Sequence, residues 1–230
     1  MNRLEMSKLA FLLDFDNTLF DNDRFLSQFH QFLDITIGPG NSKTFWSISK
    51  QLRDECGFVD YLGTLQRYRI AAKSDEDLTG IGSFMFDYPF SSRVFPDAIQ
   101  VLRQLQKWGK TVILTDGDMV FQPYKIKASG LWHQVAGNVL IYIHKEQSLD
   151  KIQQACTAAH YVLVDDRLSI LASFHDQLKE RITTVFIHQG HYARESDQLP
   201  SAFSPDFTIQ HISELIPVVQ ELRETTNMVN

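Results

Sequence analysis

Two carboxylates, Asp14 and Asp16, stand two residues apart where an apolar run ends in FLLDFDNTLF, residues 11 to 20. Along a strand, residues i and i+2 share a face, so both acids leave the run on the same side. Like charges that close raise one another's pKa unless a cation is present. A second acidic pair, Asp165 and Asp166, closes another apolar run, YVLVDD (161 to 166). Brought together, these four carboxylates call for a hard divalent cation with oxygen ligands, most simply Mg2+, and magnesium in such a site binds and neutralises phosphate oxygens. Thr115, near the end of TVILTD (111 to 116), supplies a hydroxyl that can donate to a phosphate oxygen, and Lys145, in YIHKE, supplies a point charge. A carboxylate can itself take a phosphoryl group covalently, and a second one two residues on can protonate the leaving group and later activate water.

Taken singly, each of these features is ordinary. Asp, Asn and Thr suit strand-to-helix turns and helix caps, so an isolated DFDNT is a good connection and nothing more. His188 and His191, in IHQGH, read as a polar loop rather than a metal pair, since no acid lies close to them in sequence. Phe25, Phe29 and Phe32 make a stripe at helical spacing that reads as packing. Arg67, Arg69 and Lys73 read as a solvated charged face.

The elements that must position the polar residues are short apolar runs at 9 to 15, 111 to 116, 138 to 143, 161 to 166 and 182 to 187, with a weaker one at 206 to 209. They do not alternate, as expected of strands buried on both faces. Helical spacing fills the gaps: in PDAIQVLRQLQKWGK (96 to 110) Ala98, Val101, Leu102 and Leu105 recur at three and four, with Pro96 suited to a helix start and Gly109 to its end. Alternating strands and helices predict an α/β fold, a doubly wound parallel sheet covered on both sides. In such sheets ligands bind at the carboxyl ends of the strands, where Asp14, Asp16, Thr115, Lys145, Asp165 and Asp166 all fall. Residues 21 to about 92 break the rhythm. They offer helices, among them FVDYLGTLQRYRIAAK with Phe58, Leu62, Leu65 and Arg69 or Ile70 at helical spacing, and a hinge or turn at GPGNS (38 to 42), but no convincing strand. The expected organisation is a core of 1–20 and 93–230 with an all-helical block, 21–92, placed as a lid over the edge of the sheet.

In order along the chain, DFDNTLF (14 to 20), VILTDGD (112 to 118), Lys145 and LVDDR (163 to 167) resemble motifs I to IV of the haloacid dehalogenase-like (HAD) phosphohydrolases. The resemblance covers nearly the whole chain. It implies a Rossmann-like core with a C1 cap at 21–92, Asp14 as nucleophile, Asp16 as general acid and base, and Thr18 as support for the turn. It further implies magnesium held by Asp14, the backbone carbonyl of Asp16 and Asp166, with Asp165 close by, and a transferring phosphoryl group bound by Thr115 and Lys145. Many members carry Gly where this chain has Asn17 and Asp97. The third motif often reads Lys-Pro, whereas Lys145 precedes Glu146, so Lys125 and Lys127 are rivals for that place. The DD pair leaves open which of Asp165 and Asp166 touches the metal. Dehalogenase members lack an Asp at the position of Asp16 and need no metal. The resemblance therefore implies a phosphatase of small phosphorylated metabolites working through an aspartyl-phosphate; a phosphotransferase or a non-catalytic phosphate-metabolite binder could be built from the same parts.

Composition sets outer bounds. At 230 residues and 43% hydrophobic, the chain can bury one large domain or a domain with an insertion. A net charge of -6 argues against nucleic acid as the main partner. Cys56 and Cys156 form no metal-knuckle spacing and no disulfide framework, which suits reduced thiols in the cytoplasm. The apolar stretch near the N-terminus, LAFLLDF, falls far short of the roughly 18 to 20 residues a membrane span needs, so a soluble, cytoplasmic protein is expected. Nothing in the sequence speaks to oligomeric state.

Overall fold

The computed structural model describes residues 7–72, 78–196 and 203–228. Six strands, β1 (Ser7–Leu13), β2 (Lys110–Asp116), β3 (Val139–Tyr142), β4 (Ala158–Asp165), β5 (Ile182–Ile187) and β6 (Phe207–Ile209), form one all-parallel sheet in the order β3-β2-β1-β4-β5-β6. Leu13 lies in register with Ile113 of β2 and Val164 of β4, so the carboxyl ends of the three central strands sit side by side. Strand order reverses between β1 and β4, which opens a crevice at the residues that follow β1.

Eleven helices complete the described chain: α1 (Asn22–Thr36), α2 (Pro39–Cys56), α3 (Tyr61–Ala72) and α4 (Leu78–Asp87) between β1 and β2, then α5 (Ala98–Leu105), α6 (Phe121–Ala128), α7 (Leu131–Gln134), α8 (Leu149–Ala155), α9 (Leu168–Leu178), α10 (Gly190–Ser196) and α11 (Leu215–Met228). Alternate residues of each strand serve opposite layers. Phe11, Leu13, Val162 and Val164 pack with α5 and α11, while Ala10, Leu12 and Leu163 pack with α8 and α9. Burial on both faces is why these strands carry no polar alternation.

The block between β1 and β2 is all helical among the described residues and is built on aromatic side chains. Phe29 of α1 meets the rings of Phe45, Trp46, Tyr61 and Phe84 at 5.4–5.9 Å. Phe25 continues the stack down to Phe90 and to Phe121 of α6. Helical block and sheet layer thus share one apolar cluster. Phe25 and Phe29 are buried and Phe32 half-buried against Phe84, as the stripe predicts.

Two local expectations are corrected. GPGNS is not a free hinge: Gly38 caps a helix whose first residue is Pro39, a position that needs no N–H donor and suits the fixed φ of proline. The buried face of α3 is Tyr61, Thr64 and Tyr68 rather than the one through Phe58 and Ile70; Phe58 precedes the helix and Ile70 is 80% exposed. Tyr61 and Tyr68 are drawn inward by edge contacts with Phe29 and Phe45, which outweigh the pull of the aliphatic residues. Lys73 lies outside the described residues, and Arg67 forms a two-pronged pair with Glu55 on the surface.

Candidate active site

The carboxyl ends of β1, β2 and β4 and the short turn after β3 deliver the polar side chains of the crevice. Asp14 follows β1 directly, its amide donating to Val164 O (2.9 Å) and so continuing the register with β4. Lys145, fully buried, reaches back with Nζ 2.5 Å from Asp14 Oδ1, 2.6 Å from Asp165 Oδ2 and 3.2 Å from Leu114 O. Of the three candidate lysines, Lys127 has its Nζ over the Trp132 ring, Lys125 sits on Asp16, and Lys145 touches Asp14.

Oxygens of Asp14, Asp165 and Asp166 lie within 4.8 Å of one another, and all three side chains are buried. Asp165 Oδ1 accepts from the Arg167 amide (2.9 Å), while its Oδ2 lies 2.6 Å from Lys145 Nζ as an ion pair without hydrogen-bond geometry. Asp166 Oδ2 has no hydrogen-bond partner. If all three ionised, these buried carboxylates would exceed the buried Lys145 ammonium by two charges; Arg167 offsets part of this, lying 2.8 Å from Asp116 and 3.7 Å from Asp165 Oδ1. Burial pushes the Asp14 carboxyl up to about 7 against the opposing pull of Lys145, and burial, reinforced by Asp165 and Asp14, pushes Asp166 up to about 9. Burial also opposes the Lys145 ammonium, but Asp14 and Asp165 hold its pKa above the usual lysine range. An oxygen-only donor set with two carboxylate oxygens lacking hydrogen bonds, and carboxyls whose ionisation burial and mutual repulsion oppose, fits a hard divalent cation. Asp14, Asp165 and Asp166 are the carboxylates close enough together to hold it.

Asp16 parts company with Asp14. Its Oδ1 lies 2.7 Å from Lys125 Nζ and its Oδ2 accepts from Gln122 Nε2 at 3.0 Å, both from α6. Gln122 also donates to Thr115 Oγ1 (3.0 Å), and the Thr115 hydroxyl donates to Asp116 O. Lys125 is buried beneath the rings of Phe15, Phe20 and Phe25 and further bonded to Asn22 Oδ1. Gln122 comes this close because residue 117 is glycine: a Cβ there would lie 2.9 Å from Gln122 Cβ. The carboxylate of Asp16 thus faces the crevice outside the three-aspartate cluster, while its neighbour Thr18 buries a hydroxyl that makes no hydrogen bond.

Asn17 and Asp97 both adopt left-handed backbone (φ 61° and 65°), a conformation that Asn and Asp tolerate and glycine takes freely. Residues the sequence did not single out complete the site. Arg167 and Asp116 form the ion pair above, with Asp116 Oδ1 also accepting from the Lys145 amide (2.8 Å). His191, read from sequence as a loop residue, binds Asp23 at the start of α1 (2.6 Å), and Arg194 binds the other oxygen. The histidine's partner is 168 positions away in the chain, so no local pattern could reveal it.

Above the acids lies a cavity of about 440 Å³ whose roof is α1, α2 and the start of α3. At the mouth, Arg53 Nη2 donates to the Tyr192 hydroxyl (3.4 Å), and a Cβ on Gly57 would lie 3.0 Å from Ile143 and His144, so roof and floor approach closely there.

A haloacid dehalogenase-like hydrolase from Burkholderia xenovorans LB400 is 47% identical, with a TM-score of 0.86 over 93% of this chain and 97% of that one. The chain belongs to the haloacid dehalogenase-like hydrolase family. Two more distant structures share the fold: a HAD-hydrolase from Bacillus subtilis bound to magnesium (14% identity, TM-score 0.59, 91% and 97% of the two chains), and an L-2-haloacid dehalogenase from Xanthobacter autotrophicus with chloropropionic acid covalently bound (17%, 0.58, 94% and 99%). No family model and no curated protein matches the chain. Among the described residues of this HAD-like hydrolase, no helix is long and apolar enough to cross a membrane.

Proposed function

We propose that this hydrolase is a magnesium-dependent phosphohydrolase that removes phosphate from a small phosphorylated metabolite through an aspartyl-phosphate on Asp14, with 21–92 acting as a C1-type cap over a core of 1–20 and 93–230. The observation that carries the reading is the buried trio Asp14, Asp165 and Asp166, which has only the Lys145 ammonium buried with it, and Asp16 at the cavity beside it. An Asp14 oxygen attacks phosphorus as the bond to the leaving oxygen breaks, and Asp16 protonates that oxygen. Asp16 then takes a proton from water, which attacks the same phosphorus; the Asp14–phosphorus link breaks and phosphate leaves. Thr115 donates to the transferring group, and Lys145 offsets its charge and holds Asp14 in line. Asp14, Asp166 and the backbone carbonyl of Asp16 would hold the cation, with Asp165 close by, and it would supply charge to neutralise phosphate oxygens and relieve the repulsion among the carboxylates.

Displacing halide from carbon makes lesser demands. A halide leaves as a stable anion and needs no proton, so neither Asp16 nor the excess charge of the trio would have work to do. The family contains both chemistries, and they differ in where water attacks. A single turnover in 18O-labelled water should place the label in released phosphate and none in Asp14; label in the Asp14 carboxylate would overturn the reading in favour of attack on an ester carbon.

A further inference from the structure

The cations that line the cavity fall into two groups. On the floor, each is committed to carboxylates: Lys125 to Asp16 and Arg167 to Asp116, with Lys145 beneath them on Asp14 and Asp165. On the roof, Lys50 and Arg53 project from α2 one turn apart and line the same cavity. Neither has a carboxylate partner among the described residues. Arg53 has only the neutral Tyr192 hydroxyl at 3.4 Å, and the acid one turn beyond Lys50, Asp54, forms no ion pair with it. Arg67 of the same block, by comparison, lies outside the cavity lining and is tied to Glu55 through both oxygens.

We infer that Lys50 and Arg53 receive a second anionic group of the substrate, so that the enzyme takes small phosphomonoesters that also carry a carboxylate or a second phosphate. The inference rests on the phosphohydrolase reading and names its substrate class. Contacts fix the scale: Arg53 touches Tyr192, the Tyr192 ring lies 5.9 Å from the Arg167 guanidinium, and Arg167 Nε is 3.7 Å from Asp165 Oδ1. Arg53 is thus joined to the acids through two intervening side chains across the cavity, and a volume of about 440 Å³ admits a compact molecule with its two anions at opposite ends. Arginine suits this task because its planar fork accepts either a carboxylate or a phosphate through paired hydrogen bonds.

The test uses three synthetic esters matched in length: the phosphate of 3-hydroxypropionate, the monophosphate of 1,3-propanediol, and the bisphosphate of the same diol. The wild-type enzyme with magnesium should show kcat/KM at least about tenfold higher for one of the anionic esters than for the neutral one, as expected of a charge-assisted hydrogen bond. The preferred ester tells carboxylate from second phosphate. In Arg53→Ala and in Lys50→Ala that ratio should fall toward one, chiefly through KM, with partial recovery in Arg53→Lys. No preference in the wild type, or a preference unchanged in both alanine variants, would overturn the inference while leaving the phosphohydrolase reading intact. If no ester releases phosphate, that reading fails instead. Calorimetric binding of the same esters then decides the roof cations alone: anionic esters binding no tighter than the neutral one would overturn their role.

Discussion

Lys125 Nζ lies 2.7 Å from Asp16 Oδ1, a buried ammonium on a carboxylate that is itself 28% exposed to the cavity. With Gln122 on the other oxygen, the pair fixes Asp16 at the mouth of the crevice, on the floor from which a leaving group would depart. The helix that carries both side chains starts where Asp118 Oδ1 accepts from the Val120 and Phe121 amides, so its position is set by the loop that follows Thr115.

Replacing Lys125 by Met keeps the aliphatic stem under Phe15, Phe20 and Phe25 but releases Asp16. General acid–base catalysis contributes about 10²–10⁴-fold, and an unanchored Asp16 should forfeit one to two orders of magnitude of kcat. Gln122→Ala should lose less, since Lys125 remains. Steady-state rates with a generic aryl phosphate check both; unchanged kcat in Lys125→Met would show that the pair has no part in turnover.

Lys145 is a different case, because both of its partners are buried. Lys145→Met leaves Asp14 and Asp165 without their ammonium, and breaking a buried pair in this way costs about 3–5 kcal/mol. Urea denaturation should show that loss in chelator and a smaller one in millimolar magnesium. A loss equal under both conditions would separate the cation site from Lys145.

The raised carboxyls give a pH signature in chelator. In the unfolded chain Asp14 and Asp166 titrate near the ordinary value of about 3.9, whereas in the folded protein they sit near 7 and 9. Between those limits the folded state holds more protons than the unfolded one, so stability falls as pH rises. It is fully present below about pH 4 and is lost as pH passes through 7 and then 9. Magnesium should flatten the profile by taking the protons' place, and Asp166→Asn should weaken magnesium binding measured by calorimetry. A flat profile in chelator would contradict the charge excess of the trio.

Gly190 tests the loop under motif I. Its φ is 72°, and a Cβ there would lie 2.5 Å from the Asn17 side chain, which in turn bonds Asp23 at the start of α1. Gly190→Ala should cost more than about 1 kcal/mol by thermal denaturation and slow turnover by displacing Asn17. Wild-type stability would mean that the loop yields without strain.

Much of this architecture was legible because local chemistry and global packing agree. All six strands fall where apolar runs predict them, since a strand buried on both faces cannot hide its composition. The polar ends of those runs converge as expected at Asp14, Thr115, Lys145, Asp165 and Asp166. What stayed hidden depends on contacts distant in sequence. Asp16 and Asp14 share a face only in an ideal strand; β1 ends at Leu13, and Lys125, 109 positions away, captures the second acid. The face of α3 was misread because aromatic edges, not aliphatic spacing, decide what it buries. Arg167 stood in plain view beside Asp166, yet its partner Asp116 belongs to another strand.

The most direct measurement compares wild type with Asp14→Asn in the release of inorganic phosphate from an aryl phosphate at saturating magnesium. The substitution removes the attacking charge while keeping the size of the side chain, so turnover should disappear into background with the fold intact by circular dichroism. Phosphate release by a folded Asp14→Asn variant at the wild-type rate would contradict an aspartyl-phosphate on Asp14.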